Sequence, residues 1–571
     1  MRPGLRIFHE SAAGRILSDS GGFFALRWYT GEGQGWGWHR LQTPNKSSWG
    51  PAPTLTLPRS TRGGKGSPKV SRALAGAVLC AVVAACIAVP AKGQSTAPAV
   101  APSEQSTIPD DVLIGMYRSE LREAFHVEDA AKLLAAHRLI ETYFASASTA
   151  DRRAVAQKLE ASGLGCVAVG RLVRLRMHWP ALAGGGVYYI NQKRGPYDAK
   201  YFVGLPAGYD RTRPWPLVVK LPTTQAFVTQ PPPDAQDIVT IYTAWVKDEL
   251  ALHDDAVVVM PLLDLKELYG PGYAGMNDAL QPIMDVADRV NIDPARVSLI
   301  GHSEAAHATW NLGLHFPTYF TAINPLAGAA SADWQRLRLI NLSNVLPVVW
   351  CDDSDDVVKP EASKSLVKAL RGLKQDVELI ETKVLGHKPS DEVLEECYQK
   401  LRARTRELYP TAVSIQSNRP DSVFNRNDWV QIWQPFSPGD DRRLYFRHGT
   451  GYMVVDDNPW RVDAGVAGNR FTVTTDNVES FRLYVNDQMI DLKEPVTVAV
   501  NRRVRFEGLV KPSIAGMLRD QIALGRGWRY YCGEIDIDLA PPSTEPATRL
   551  TTQPTTRPHK GRIIVGPDAE Q

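Results

Sequence analysis

The stretch VSLIGHSEAAHATW, residues 297–310, runs from a β-branched apolar segment through Gly301-His302-Ser303-Glu304-Ala305 into a helix-like pattern. A serine at the start of a helix has two explanations. It can cap the helix by accepting a backbone N–H. It can also be a nucleophile held on a strained turn between strand and helix, where the crowded backbones require small residues two positions before and two after it. Gly301 and Ala305 meet that requirement. A Gly-x-Ser-x-Ala pattern recurs by chance, so its surroundings decide.

From about Val187 the chain breaks into short apolar runs, VYYI, YFVGLPAGY, PLVVKLP and AVVVMP, parted by turn signals such as Lys193-Arg194-Gly195-Pro196. Strands then alternate with helical stretches: AGMNDALQPIMDVADRV, VSLI, EAAHATWNLGLHF, TAINPLA, VLPVVWC and EASKSLVKALRGL. This alternation predicts an α/β unit with a mostly parallel sheet and helices on both faces, which is the setting a nucleophilic Ser303 needs. A triad on such a sheet follows the order Ser, acid, His. The strand LPVVWC leads into Asp352-Asp353-Ser354-Asp355-Asp356-Val357-Val358, and ELIETKVLGHKPSDEV brings His387 after a last strand. Asp355 is the expected acid, since it lies where the loop turns back into the following helix, and Asp352, Asp353 and Asp356 are read as solvated-loop alternatives. His302 and His307, flanking the elbow, are read as packing or substrate-lining residues. Glu304 would supply a backbone N–H to an oxyanion.

The span from about Tyr188 to Tyr409 resembles the α/β-hydrolase superfamily in its GHSEA elbow, DDSDDVV acid loop and GH loop. Within it, NIDPARVSLIGHSEAAHATWNLGLHFPTYFTAINPLAG is similar to esterases of the polyhydroxybutyrate-depolymerase and feruloyl-esterase type and to prolyl-oligopeptidase-like domains. Two departures stand out: Ala305 replaces the more usual glycine, and PLVVKLPTTQ stands where many members have an apolar strand and His-Gly. The resemblance implies ester or amide hydrolysis through an acyl-enzyme at Ser303, His387 and Asp355, with no metal or organic cofactor. It also implies a second oxyanion N–H near Thr223 or Thr224. Tyr269 and Tyr273, in the segment after AVVVMP, are candidate substrate-lining residues. A carboxylesterase is the favoured reading. The alternatives are a prolyl-oligopeptidase-like peptidase, against which no upstream propeller repeat is visible, and an inactive hydrolase fold serving as a binding module.

The rest of the 571 residues sets the frame. With 44% hydrophobic and 22% charged residues and a net charge of +3, the composition is that of an ordinary globular protein, without a basic run that would suggest nucleic acid. The expected partner is a small-molecule or polymer-derived ester. Residues 1–69 show no periodic apolar face and read as a non-native or disordered extension. Residues 70–93 follow a basic flank and read as a signal peptide or anchor, which places the expected protein outside the cell or in the periplasm. Membrane attachment would then come only through an uncleaved leader or one lipidated at Cys86. A linker at 94–109 precedes a helical extension at 110–182, and the catalytic unit is expected at 183–412, closed by a helix over CYQKLRARTRELYP. Period-two runs from about 427 to 540 predict a small β-sandwich-like domain, and residues 541–571 a disordered tail. Trp429, Trp433 and Trp460 are read as core or interface aromatics, with carbohydrate stacking as the alternative. Cys166, Cys351, Cys397 and Cys532 match no zinc spacing and are expected as buried thiols or at most one bridge.

Overall fold

The computed structural model describes residues 99–100, 105–194, 197–223, 235–262, 273–330, 333–418, 425–437, 444–448, 451–455 and 458–540. The expected leader, the extension before it and the C-terminal tail lie outside them.

Four helices open the described chain: α1 (Asp110–Leu121), α2 (Ala130–Ala145), α3 (Thr149–Ala161) and α4 (Cys166–Val173). The α/β unit follows, with strands β1 (Val187–Arg194), β2 (Tyr197–Gly204), β3 (Trp215–Lys220), β4 (Val257–Pro261), β5 (Ile292–His302), β6 (Ala322–Leu326), β7 (Leu346–Asp352) and β8 (Glu378–Thr382). Its helices are α5 (Ala235–Leu252), α6 (Tyr273–Val286), α7 (Glu304–His315), α8 (Pro360–Gly372) and α9 (Asp391–Ala403). The sheet order is β1-β2-β4-β3-β5-β6-β7-β8, with the segment Ala99–Val100 paired outside β1. Within this sheet only β2 runs against its neighbours. Every residue of β4, β6 and β7 is buried, because helices cover both faces and leave no solvent side for polar alternation. Two hydrophobic clusters, one around Leu299 and Trp310 and one around Val218 and Trp350, fill the faces.

The helix expected over CYQKLRARTRELYP is instead α9, which starts at Asp391 and ends at Ala403. The Ser390 hydroxyl accepts the Val393 N–H and caps the true start. Beyond Ala403 the chain leaves the helix, and buried Arg406 turns inward.

The β-rich part begins earlier than Asn427, at β9 (Ala412–Ser417), and continues through β10 (Arg426–Asn427), β11 (Val430–Gln434), β12 (Trp460–Ala467), β13 (Arg470–Asp476), β14 (Ser480–Val485), β15 (Val496–Val500), β16 (Arg503–Gly508) and β17 (Gly533–Asp538). One sheet has the order β9-β12-β13-β15-β16 and the other β10-β11-β14-β17, around a single apolar cluster. Between β16 and β17 lies a helix that strand alternation did not announce, α10 (Ile514–Leu524), capped by Ser513. Its Ile514, Met517 and Leu518 pack into the core of α1–α4, so the helical extension completes its core with a segment from the far end of the chain. Trp429 and Trp460 are buried in the sandwich, while Trp433 is 42% exposed. The four cysteines are free and buried. Among the described residues no helix is long and apolar enough to cross a membrane.

Candidate active site

The site forms along the carboxyl edge of the sheet. In register, His302 pairs with Leu326, Leu326 with Trp350, and Trp350 with Ile380, so β5 to β8 end side by side. Loops leaving this row bring together residues far apart in sequence.

Ser303 follows β5 and precedes α7. Its φ of +58° and ψ of −119° put a non-glycine residue in a region that costs about 1–3 kcal/mol and persists only when its surroundings hold it. Its N–H is tied to the Leu326 carbonyl at 2.8 Å. A Cβ on Gly301 would lie 2.3 Å from the Ala305 carbonyl oxygen and 2.4 Å from Thr309 Oγ1, so glycine is obligatory there. Ala305 faces no such limit in its own side chain, which fits the fully buried interior of α7. Ser303 occupies the cap position of α7, yet its side chain makes no capping bond. It turns instead to His387.

Ser303 Oγ lies 2.8 Å from His387 Nε2, and His387 Nδ1 lies 2.9 Å from Asp355 Oδ2. Because an ionised carboxylate only accepts, Nδ1 carries the proton and Nε2 is left to accept from the serine hydroxyl. Asp355 Oδ1 takes the N–H groups of Val357 and Val358, both at 2.9 Å, which fixes the carboxylate in the loop. Asp355 is buried and His387 partly exposed, leaving the imidazole open toward a substrate.

Asp352 is not a solvated alternative. It is fully buried and accepts from the N–H groups of Leu385 at 3.0 Å and Gly386 at 3.1 Å and from both the N–H and the hydroxyl of Ser354. The DDSDD run looked uniformly hydrophilic, but its first residue is the last of β7 and points inward to hold the histidine loop. Burial works against its ionisation, and hydrogen bonds from Ser354, Thr382 and Leu385 outweigh it, keeping its carboxyl well below the ordinary range. Asp353 pairs with Lys364 at 2.7 Å, and Asp356 is exposed.

His302 Nε2 lies 2.7 Å from the His387 carbonyl oxygen, with the two rings 5.0 Å apart. Its adjacency to the elbow was the only sequence signal for this supporting contact. Burial, offset in part by that hydrogen bond, pushes its pKa down to about 4. His307 bonds the Ala329 carbonyl, a packing role. Glu304 is the first residue of α7, at the end of the helix whose dipole favours negative charge. Lys220 pairs with Ile300 in register, so Thr223 stands as far past β3 as Ser303 stands past Ile300 in the neighbouring strand. Thr224 and Tyr269 lie outside the described residues, and Tyr273 opens α6. Among the described residues no cluster of His, Cys, Asp or Glu is arranged to hold a metal ion.

No protein-family model matches the chain, and no curated protein matches it. Among solved structures it is similar to a thermostable esterase, at 19% identity over 38% of this chain and 63% of that one, with a TM-score of 0.31. A ferulic acid esterase from Anaeromyces mucronatus matches at 15% identity over 40% of this chain and 92% of its own, with a TM-score of 0.27. A puromycin-hydrolysing peptidase from Mycobacterium tuberculosis matches at 13% identity over 39% of each chain, with a TM-score of 0.27. The chain thus spans less than two thirds of the first of these. Likeness at this level does not carry an activity across, and the fold rests on the strand order and the elbow themselves. On that order, with β2 alone reversed and Ser303 on the turn after β5, the unit from β1 to α9 has the α/β-hydrolase fold.

Proposed function

We propose that the chain is a serine hydrolase that cleaves carboxylic esters through an acyl-enzyme. The observation that carries this reading is the unbroken relay of Ser303, His387 and Asp355 at 2.8 and 2.9 Å, with Ser303 held at positive φ. In this mechanism Ser303 Oγ attacks the acyl carbon while His387 Nε2 takes its proton. Asp355 keeps the imidazole in the productive tautomer and stabilises the imidazolium. The tetrahedral oxyanion accepts the Glu304 N–H and a second one near Thr223 or Thr224. On collapse His387 returns the proton to the leaving alcohol, and water then repeats the sequence to free the acid.

The test is labelling with a fluorophosphonate, followed by turnover of p-nitrophenyl acyl esters and aminoacyl-p-nitroanilides. Ser303 should be the labelled residue, and Ser303→Ala should lower kcat on the esters by about three to six orders of magnitude without loss of fold. Preference for the anilides would favour the peptidase reading. A folded chain that takes no label would favour a binding module.

A further inference from the structure

A cavity of about 1290 Å³ opens well away from Ser303. It is lined by the end of α2, the second half of α6, the residues after α7, strands β11 and β14, and α10. Phe316 and Thr318, in its wall, follow α7, whose 12 residues carry the chain about 18 Å from the elbow at the rise of an α-helix. The cavity exceeds the roughly 300–1,000 Å³ of an ordinary small-molecule site, so it has room for an oligomer.

Its chemistry is lopsided. Among the described residues, seven arginines and four carboxylates line it. Two of those arginines, Arg176 and Arg194, share the single carboxylate Asp288, each at 2.8 Å. Arg519 is 70% exposed and reaches Glu534 only at 3.6 Å. Arg152 donates its Nε to the Ser146 carbonyl at 3.0 Å, and among the described residues no carboxylate pairs with it. Burial raises the Tyr143 hydroxyl's pKa while the charges of Arg152 and Arg519 both oppose the rise, and both guanidiniums line the cavity. Burial first, and then the charge of Arg526, lower Arg176 to about 10, while Asp288 and Glu141 oppose the fall. Apolar surface lies beside this charge: Leu280, Met284 and Phe316 line the same space, and so does Trp433, the one of the three sandwich tryptophans named above that is not buried. Guanidinium forks suit carboxylates, and the partly exposed indole of Trp433, with the Arg482 guanidinium 5.2 Å from its centroid on one side, offers flat apolar surface to a sugar ring. A nucleic acid fits less well, since the chain's net charge is only +3 and it has no basic run.

We propose that this cavity binds an acidic oligosaccharide, with sugar carboxylates at Arg152 and Arg519 and a ring face on Trp433. The site is separate from the esterase centre and does not depend on its activity.

Isothermal titration of the full chain carrying Ser303→Ala with trigalacturonate tests it, with maltotriose and tripolyphosphate as the other arms. The expected result is one saturable site for trigalacturonate, no binding of maltotriose, and weaker binding of tripolyphosphate. Trp433→Ala and the pair Arg152→Glu, Arg519→Glu should each weaken trigalacturonate by about tenfold or more, with circular dichroism verifying the fold. Arg519→Glu alone, at an exposed position, keeps the test open if another variant fails to fold. Absence of binding, equal binding of maltotriose, tighter binding of tripolyphosphate, or affinity unchanged in folded variants overturns the proposal. Fluorophosphonate labelling of the unsubstituted chain reads the esterase centre independently of all of these.

Discussion

Asp352, the last residue of β7, and Asp355, in the loop that follows, stand three positions apart and hold the same histidine by different means. Asp355 touches the imidazole itself, whereas Asp352 touches the backbone amides of Leu385 and Gly386 just before it. Substitution should separate the two. Asp355→Asn leaves the loop in place but removes the acceptor that sets the tautomer, so kcat should fall by about ten-thousand-fold while the melting temperature moves little. Asp352→Ala removes the acceptor of the half-buried Leu385 amide and one of the two acceptors of the Gly386 amide, a loss of about 1–3 kcal/mol, so it should lower the melting temperature together with turnover. Thermal melts and ester kinetics on the two purified variants check this, and a melting temperature unchanged by Asp352→Ala would return that residue to the solvated loop.

The elbow works as an element because β5 and α7 meet too closely for a side chain. The built Cβ at Gly301 falls on the carbonyl of Ala305, a backbone atom of the helix that cannot swing aside. Gly301→Ala should therefore displace the start of α7, at a cost of at least the roughly 1–3 kcal/mol typical of overpacking. Ser303 would move relative to His387, and activity should drop much further than stability, measured as fluorophosphonate labelling rate against urea midpoint. Equal labelling in the variant would mean that the strand-to-helix turn has slack the distances deny. The same reasoning explains why alanine suffices at 305: the crowded partner there is its carbonyl, which any residue carries.

Across the whole molecule, buried charge ties the α/β unit to the sandwich. Arg406, just past α9, makes two bonds of 2.7 Å to Asp428, and Arg529 approaches the same carboxylate at 3.3 Å; all three are almost fully buried. Asp428→Ala strands two buried guanidiniums, and the expected loss is about 3–5 kcal/mol in the unfolding free energy, read from urea denaturation. Buried neutral histidines set the acid side of the stability curve. Burial is the chief cause that lowers His253 and His302 to about 4, and it also lowers His137 and His307. An unfolded chain would protonate these histidines near their ordinary value of about 6.5. As pH falls from about 6.5 toward 4 the unfolded state thus takes up more protons than the folded one, and stability should decline in that window. Carboxylates held low, such as Glu141, where burial is outweighed by hydrogen bonding and charge from Arg526, keep their contribution down to their ordinary value of about 4.3 and lose it as pH falls further. Melts between pH 7 and 4 check the sign, and His253→Gln should flatten part of the decline.

Local chemistry made the strands of the α/β unit and the elbow readable. Runs such as VSLI and LPVVWC are apolar throughout because both sheet faces are covered, and GHSEA carries its small residues where the turn needs them. The chain order of Ser303, Asp355 and His387 could be read for the same reason, since each sits on the turn or loop after its own strand. Burial and partnership across sequence distance could not be read. Nothing local distinguishes Asp352 from its neighbours in an acidic run until β8 brings Leu385 and Gly386 to it. The six residues of β9 hold only Val413 and Ile415 as large apolar side chains, too few to mark a strand before it pairs with β12. The helix α10 hid among strands because its apolar face is completed by α1–α4, some 340 to 400 residues earlier in the sequence. The sequence alone therefore determined the α/β unit and the strained turn that carries Ser303, whose requirements lie within a few residues of each. Only the tertiary structure decided which carboxylate supports the loop, where the sandwich begins and what the helical extension packs against, because those depend on groups that folding alone brings into contact.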